Sequence, residues 1–249
     1  KEVDVSWIYA ACGANAADLR FLEKLGMVRF GGQEVLRDPL AGKKFEPATV
    51  PKLTADQERA WQSIREVMRS GRFDQPVLLH GVTGSGKTEL YLHAIDTALQ
   101  AGRQALVIVP EISMTPAVEG LLKCRLGRET AVLHSGLSDG ERYDQWQRIR
   151  RGDARVVLGA RSAIFAPLEN LGLIVVDEEH EPSYKQDEAP RYNARDAAVM
   201  RGWMERCAVV LGSATPAMES WLNVEKGKYV VAHLTRRDRK STRLNSSHE

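Results

Sequence analysis

Residues 80–88 read HGVTGSGKT. Three glycines, Gly81, Gly84 and Gly86, fall within six positions and are followed by Lys87 and Thr88. Neither a helix interior nor a strand would choose that composition for its own stability. The stretch satisfies G-x-x-x-x-G-K-[ST] over 81–88, follows the apolar run PVLLHG at 76–81 and opens a helical pattern carrying Leu90, Ala94, Ile95 and Ala98. Strand, glycine-rich turn and helix, in that order, are the context in which this pattern binds phosphate. Glycine lets successive N–H groups converge on an anion, and the helix N-terminus behind them adds its dipole. Gly81, Thr83, Gly84, Ser85 and Gly86 are therefore expected to cradle a triphosphate. Lys87 would reach its β- and γ-phosphates, and Thr88 would offer its hydroxyl to Mg²⁺.

Such a loop needs a carboxylate at the end of a neighbouring strand to hold the metal. The run LIVVDEEH at 173–180 places Asp177 directly after four apolar residues, with Glu178 next to it. A carboxylate in that position is costly unless a metal or a cation is present. Asp177 is expected to hold Mg²⁺ and Glu178 to orient the attacking water, so that Lys87, Asp177 and Glu178 carry NTP hydrolysis.

Outward from these two motifs the chain alternates. Short apolar runs at 76–81, 105–110, 130–136, 154–160, 171–179 and 208–216 are separated by helical segments. Strands that are β-branched and apolar on both faces predict an α/β fold in which helices cover both faces of a parallel sheet. Ligands bind such sheets at the carboxyl ends of the strands, where each motif sits. Before the sheet, Leu19, Leu22 and Leu25 at helical spacing, Gly26 as a stop, MVRF at 27–30 and EVLR at 34–37 read as a helix and a two-stranded hairpin. Pro39, Pro47 and Pro51 mark a linker and place a boundary near residue 48.

Among 249 residues, 35 Lys and Arg face 33 Asp and Glu, so the overall charge carries no footprint of a polyanionic partner and any basic surface must be local. Cys12, Cys124 and Cys207 lie far apart, which offers neither a disulfide framework nor zinc-ligand spacing and suits a reducing cytosol. No run spans a membrane and no signal-peptide pattern opens the chain, so the reading is a soluble cytoplasmic protein without a membrane partner. The chain opens on Lys1 rather than Met and is read as a piece of a longer protein. One further segment, EPSYKQDEAPRYNARD at 181–196, interleaves Tyr184, Lys185, Arg191, Tyr192 and Arg195. Rings stack bases and cations hold phosphates, so this composition suits single-stranded nucleic acid; the alternative is a solvated loop whose tyrosines pack on the domain.

TADQ at 54–57, GVTGSGKT at 81–88, VPEISMTP at 109–116, HSGLSDGER at 134–142, GARSAIFAP at 159–167, VVDEEH at 175–180 and GSATP at 212–216 follow one another in order. The series resembles the first, RecA-like motor lobe of superfamily 2 helicases. Its wording is similar to the primosomal replication-restart helicases of bacteria, from about residue 16 to about residue 237.

The resemblance implies that the nucleotide is ATP, with Gln57 reading the adenine edge. It implies that His180, Ser213 and Thr215 link the nucleotide site to DNA, and that Arg161 and Ser162 touch the DNA backbone. Residues 1–47 become a winged-helix-like segment and linker, 48–237 the ATP-binding lobe, and 238–249 a polar tail that is disordered or non-native. It further implies translocation 3′ to 5′, single-stranded and forked DNA as substrates, and primosome proteins and single-stranded-DNA-binding protein as partners. Zinc belongs to the family's cysteine cluster, for which this chain has no site. The second lobe, with its arginine finger, does not follow residue 216 here. The sequence departs from the family pattern at Ala160, where Thr is usual, and at Ala117, where Gln is common. Alternatives are the motor lobe of another superfamily 2 translocase, such as a RecG-like enzyme, or a non-catalytic nucleotide- or DNA-binding module.

Overall fold

Pentads such as VLLHG and QALVI send successive side chains to opposite faces of a strand. In the computed structural model, which describes residues 3, 5–31, 52–71, 73–111 and 129–235, they do so between two helical layers. The chain divides into two compact units, Lys1–Val35 and Leu36–Glu249.

The first unit contains α1 (Val5–Cys12), which the sequence pattern did not announce, and α2 (Ala16–Lys24). Asn15 caps α2 by accepting from the N–H groups of Ala17 and Asp18, while Asp18 accepts from the Asn15 N–H in return. Leu19 is buried, whereas Leu25 is 57% exposed, so the expected leucine stripe packs at one end only. Met27–Phe30, expected as the first leg of a hairpin, is irregular rather than strand. Its partner leg at 34–37, the linker prolines and the boundary near residue 48 lie outside the described residues, as do 112–128 with Ala117 and Cys124, and the tail from 236.

Among its described residues the second unit holds seven parallel strands: β1 (Val77–Gly81), β2 (Gln104–Ile108), β3 (Thr130–Leu133), β4 (Val156–Gly159), β5 (Leu171–Val176), β8 (Ala208–Ser213) and β9 (Val230–Leu234). Two short strands, β6 (Lys185–Gln186) and β7 (Tyr192–Asn193), form an antiparallel pair of their own. The sheet order is β3-β4-β2-β5-β8-β1-β9. Strand β9 was not anticipated; it completes the edge by pairing with β1, Val77 opposite Val230.

On one face Leu79, Val107, Val175 and Val210 meet α3 (Ala55–Ser70) and α4 (Lys87–Gln100) through Ile64, Leu90 and Ile95. On the other, Leu78, Leu106, Ile174 and Leu211 meet Ile149 of α5 (Asp139–Arg150) and Ala194 and Ala198 of α6 (Ala194–Glu205). Helix α7 (Met218–Glu225) precedes β9. Because β5, β8 and β1 are consecutive in the sheet, the three sequences that follow them end side by side.

Candidate nucleotide and nucleic-acid site

The loop after β1 owes its shape to two residues with left-handed backbone, Gly84 at φ 77° and Gly86 at φ 88°. A side chain at either would be strained, and at Gly86 a Cβ would also lie 2.2 Å from Gln57 Nε2. Ser85 N–H donates to the Val82 carbonyl and closes the turn. Thr83, Gly84 and Thr88 are exposed at the mouth, whereas Gly81, Ser85 and Lys87 are buried. Lys87 Nζ donates to the Gly81 carbonyl at 3.0 Å and lies 3.6 Å from Glu178 Oε1.

Glu178 reaches that position through a left-handed backbone, φ 44°, which is uncommon for a non-glycine residue and turns the chain sharply after β5. Asp177, one residue earlier, is half-buried beside α4. The Tyr91 hydroxyl donates to its Oδ1 at 2.8 Å. Burial raises the Asp177 carboxyl above its ordinary range and Glu178 adds to this, while the Tyr91 hydrogen bond and the Lys87 charge oppose it. Burial likewise pushes the Tyr91 phenol well up, reinforced by the Asp177 charge. An acidic pair facing a buried lysine across a glycine cradle fits a magnesium nucleotide. Mg²⁺ is commonly held by one or two carboxylates plus substrate phosphates, and nothing stands within 4 Å of where a Cβ on Gly84 would project.

A second set of contacts runs away from the nucleotide loop. His180 Nδ1 is 3.7 Å from Glu178 Oε2 and 2.8 Å from Ser213 Oγ, and its Nε2 is 3.2 Å from Thr215 Oγ1. Thr215 N–H donates to Ser213 Oγ at 3.0 Å. The end of β8 thus reaches the residue expected to orient water only through His180, which touches both.

Glu179 had no assigned role in the sequence. Helix α7 begins after Ala217, which has no side chain to cap it, and Glu179 supplies the acceptor from across the sheet. Its Oε1 accepts from Ala217 N–H at 2.7 Å and its Oε2 from the Ser220 hydroxyl at 2.8 Å. A helix N-terminus without its own capping side chain is the sequence signal that points to such a partner.

Three expected contacts are corrected by the structure. Gln57 was expected to read adenine, but its amide is buried: Oε1 accepts from Thr54 N–H in a capping box and Nε2 donates to the Ser85 carbonyl at 3.4 Å. It braces the phosphate loop against α3. Tyr184 was expected to stack on bases, yet it is 1% exposed and donates to the Asp177 carbonyl at 2.5 Å. Burial, with the charges of Asp177 and Glu178, pushes its phenol far up. Arg195 was expected on the DNA surface, yet it is buried beside Glu179, Asp196 and Glu219. Burial works against its charge, and Asp196 with Glu179 outweighs that and raises its pKa.

The other members of the 181–196 segment stay accessible. Lys185 pairs with Asp187 on the surface, and Arg191 Nε donates to the Asp187 carbonyl. Tyr192 is half-buried and meets Phe165 edge-on, ring centres 5.0 Å apart. Phe165 itself is 56% exposed and was missed because it follows an apolar residue in a run that reads as core. Arg161 donates to the carbonyls of Ser183 and Lys185 at 3.0 and 2.7 Å, tying the 159–167 turn to this loop, and Ser162 beside it is exposed. Among the described residues no group of His, Cys, Asp and Glu could hold a metal by itself, and no helix is long and apolar enough to cross a membrane.

The family model described as DEAD/DEAH box helicase matches residues 54–223. Replication restart protein PriA of Bacillus subtilis (strain 168) is 49% identical over 90% of this chain. That of Chlamydia pneumoniae is 44% identical over 87%. The chain spans 28% and 29% of those relatives' lengths. A solved structure of RecG bound to a three-way DNA junction is 27% identical, with a TM-score of 0.52, over 74% of this chain and 24% of that one.

Proposed function

Because the chain belongs to the DEAD/DEAH box helicase family, we propose that its second unit is the ATP-binding motor lobe of a DNA helicase of the replication-restart type. The reading extends to the finer assignments: ATP hydrolysis coupled to single-stranded DNA contact, movement 3′ to 5′, forked DNA as substrate, and primosome proteins and single-stranded-DNA-binding protein as partners. These rest on the likeness to PriA and belong to the longer protein of which the relatives are examples.

The observation that carries the nucleotide part is the placement of Lys87, buried between the Gly81 carbonyl and Glu178. A buried ammonium held by one carbonyl and one carboxylate at 3.6 Å is under-satisfied. A triphosphate entering the cradle gives it anionic oxygens. Lys87 then exchanges the Gly81 carbonyl for the β- and γ-phosphates, and the glycine-shaped loop directs its N–H groups at the same oxygens. Thr88 and Asp177 would hold Mg²⁺, which would supply positive charge against the negative charge that develops on the phosphate oxygens. Released from Lys87, the Glu178 carboxylate orients water towards the γ-phosphate and accepts its proton. His180 moves with Glu178 and carries that change to Ser213 and Thr215 at the end of β8.

For DNA, the surface formed by Ser162, Phe165, Lys185, Arg191 and Tyr192 combines exposed aromatic edges with cations, the combination that holds single strands without reading sequence.

The test is calorimetric titration of ATP with Mg²⁺ into the 249-residue chain and into Lys87→Ala. Binding by the first and none by the second supports the assignment. Equal binding, or none by either folded protein, refutes it.

A further inference from the structure

One contact in the site that the phosphate-loop chemistry does not use joins three separate motifs. Tyr91 lies one turn into α4, behind the phosphate loop, and is 4% exposed. Its hydroxyl reaches Asp177 Oδ1 at 2.8 Å. To do so it passes over β8 at Gly212, where a Cβ would stand 1.6 Å from the hydroxyl oxygen and 3.3 Å from Asp177 Oδ1. Gly212 has no left-handed backbone to explain it. What it supplies is room: any side chain there would occupy the position of the phenol oxygen.

We propose that Tyr91 is a positioning residue for the magnesium-nucleotide site, its hydroxyl holding the Asp177 carboxylate in the orientation that faces the phosphate loop, with Gly212 keeping the passage open. This rests on the nucleotide reading given above.

The physical case has two parts. A carboxylate at the end of a strand can rotate about its last bond, and a metal ligand must be held within a few tenths of an ångström of its working position. A charge-assisted hydrogen bond from a rigid, buried ring removes that rotation, whereas a flexible or solvated donor would not. The second part is coupling. The ring sits on the helix that opens at Lys87, so movement of the phosphate loop and of Asp177 is mechanically shared. Motif GSATP enters the site through its glycine as well as through Ser213 and Thr215.

The experiment titrates ATP into the 249-residue chain by calorimetry at a series of Mg²⁺ concentrations and in EDTA, for the wild type, Tyr91→Phe, Gly212→Ala and Asp177→Asn. Tyr91→Phe keeps the ring and removes only the donor. It should lower affinity at limiting Mg²⁺ by about tenfold, recover it at saturating Mg²⁺ and leave the EDTA value unchanged. Gly212→Ala should give the same pattern by displacing the hydroxyl. In an Asp177→Asn background Tyr91→Phe should change the Mg²⁺ dependence no further. A Tyr91→Phe protein with wild-type Mg²⁺ dependence overturns the proposal. So does one that loses affinity equally in EDTA, since a packing defect would do that. Should Tyr91→Phe fail to fold, Gly212→Ala decides on the same criteria. A wild type that binds no ATP at any Mg²⁺ concentration overturns the nucleotide assignment itself, a result distinct from the others.

Discussion

Glu179 Oε2 and Arg195 Nη1 lie 3.4 Å apart, the carboxylate fully buried and the guanidinium nearly so. The pair ties the turn after β5 to α6, and the same carboxylate caps α7 through Ala217 and Ser220. Removing one partner of a buried pair leaves the other uncompensated, which costs far more than the net worth of the pair.

Arg195→Ala should therefore destabilise the second unit by about 3–5 kcal/mol. Glu179→Gln keeps the acceptor for α7 and should cost less. Urea unfolding curves check both. In the folded fraction of Arg195→Ala, the salt dependence of DNA binding should match the wild type, because a residue that touches no phosphate releases no counterion. A flatter salt slope would return Arg195 to the DNA surface.

Glu178 faces Lys87 and His180 from a left-handed turn, and its task under the proposed chemistry begins once nucleotide is bound. In the full-length protein, Glu178→Gln should retain ATP binding and lower turnover by about 10²–10⁴-fold. His180→Ala should chiefly shrink the ratio of DNA-stimulated to unstimulated hydrolysis, since it removes the contact between Glu178 and the end of β8. Steady-state ATPase with and without a single-stranded oligonucleotide separates the two. An unchanged ratio in His180→Ala would rule out this route of coupling.

How much of this could be read from the sequence depended on how local each interaction is. The phosphate loop, Asp177 and the motif-bearing strands are patterns within a few residues, and the sheet places them as expected, at the carboxyl ends of β1, β5 and β8. Tyr184, Arg195 and Gln57 were misplaced because polarity reports a side chain's chemistry and not the direction in which its segment turns. Tyr184 finds two backbone carbonyls, Asp177 and Ile108, at the ends of two strands. Arg195 finds a buried carboxylate, and Gln57 a helix cap and a loop carbonyl. Strand β9 was missed because its value lies in pairing with β1, far away in the chain, and not in its own short run. The contact between Tyr91 and Asp177 is invisible for the same reason: it depends on a glycine in a third motif.

Phe165 and Tyr192 meet edge to face on the accessible side of the 159–167 turn. Base stacking on an exposed ring is worth about 1–3 kcal/mol by alanine substitution. Phe165→Ala should thus weaken binding of a single-stranded oligonucleotide by roughly 5- to 150-fold and leave ATP affinity unchanged. Fluorescence anisotropy at fixed salt measures it. A wild-type DNA affinity would assign the aromatic pair to packing alone.

Cys207 ends the turn after α6, and burial pushes its thiol from near 9.0 up to about 12. Glu205 adds to the rise, while Arg103 and Arg201 oppose it. The folded state therefore keeps the proton through a range in which the unfolded chain gives it up. The contribution to stability is fully present below the ordinary thiol value and is lost as pH rises from there towards the folded value. Near pH 10 the loss should be about 1.4 kcal/mol. The buried phenols of Tyr91 and Tyr184, both shifted upwards, act in the same direction at higher pH. Cys207→Ala opens a small cavity and lowers stability at every pH, so the diagnostic is the slope. Between about pH 9 and 10 the wild type should lose stability faster than the variant, by one thiol's worth of protons. Equal slopes in urea titrations across that range would mean that the thiol ionises as readily in the folded protein as in the unfolded one.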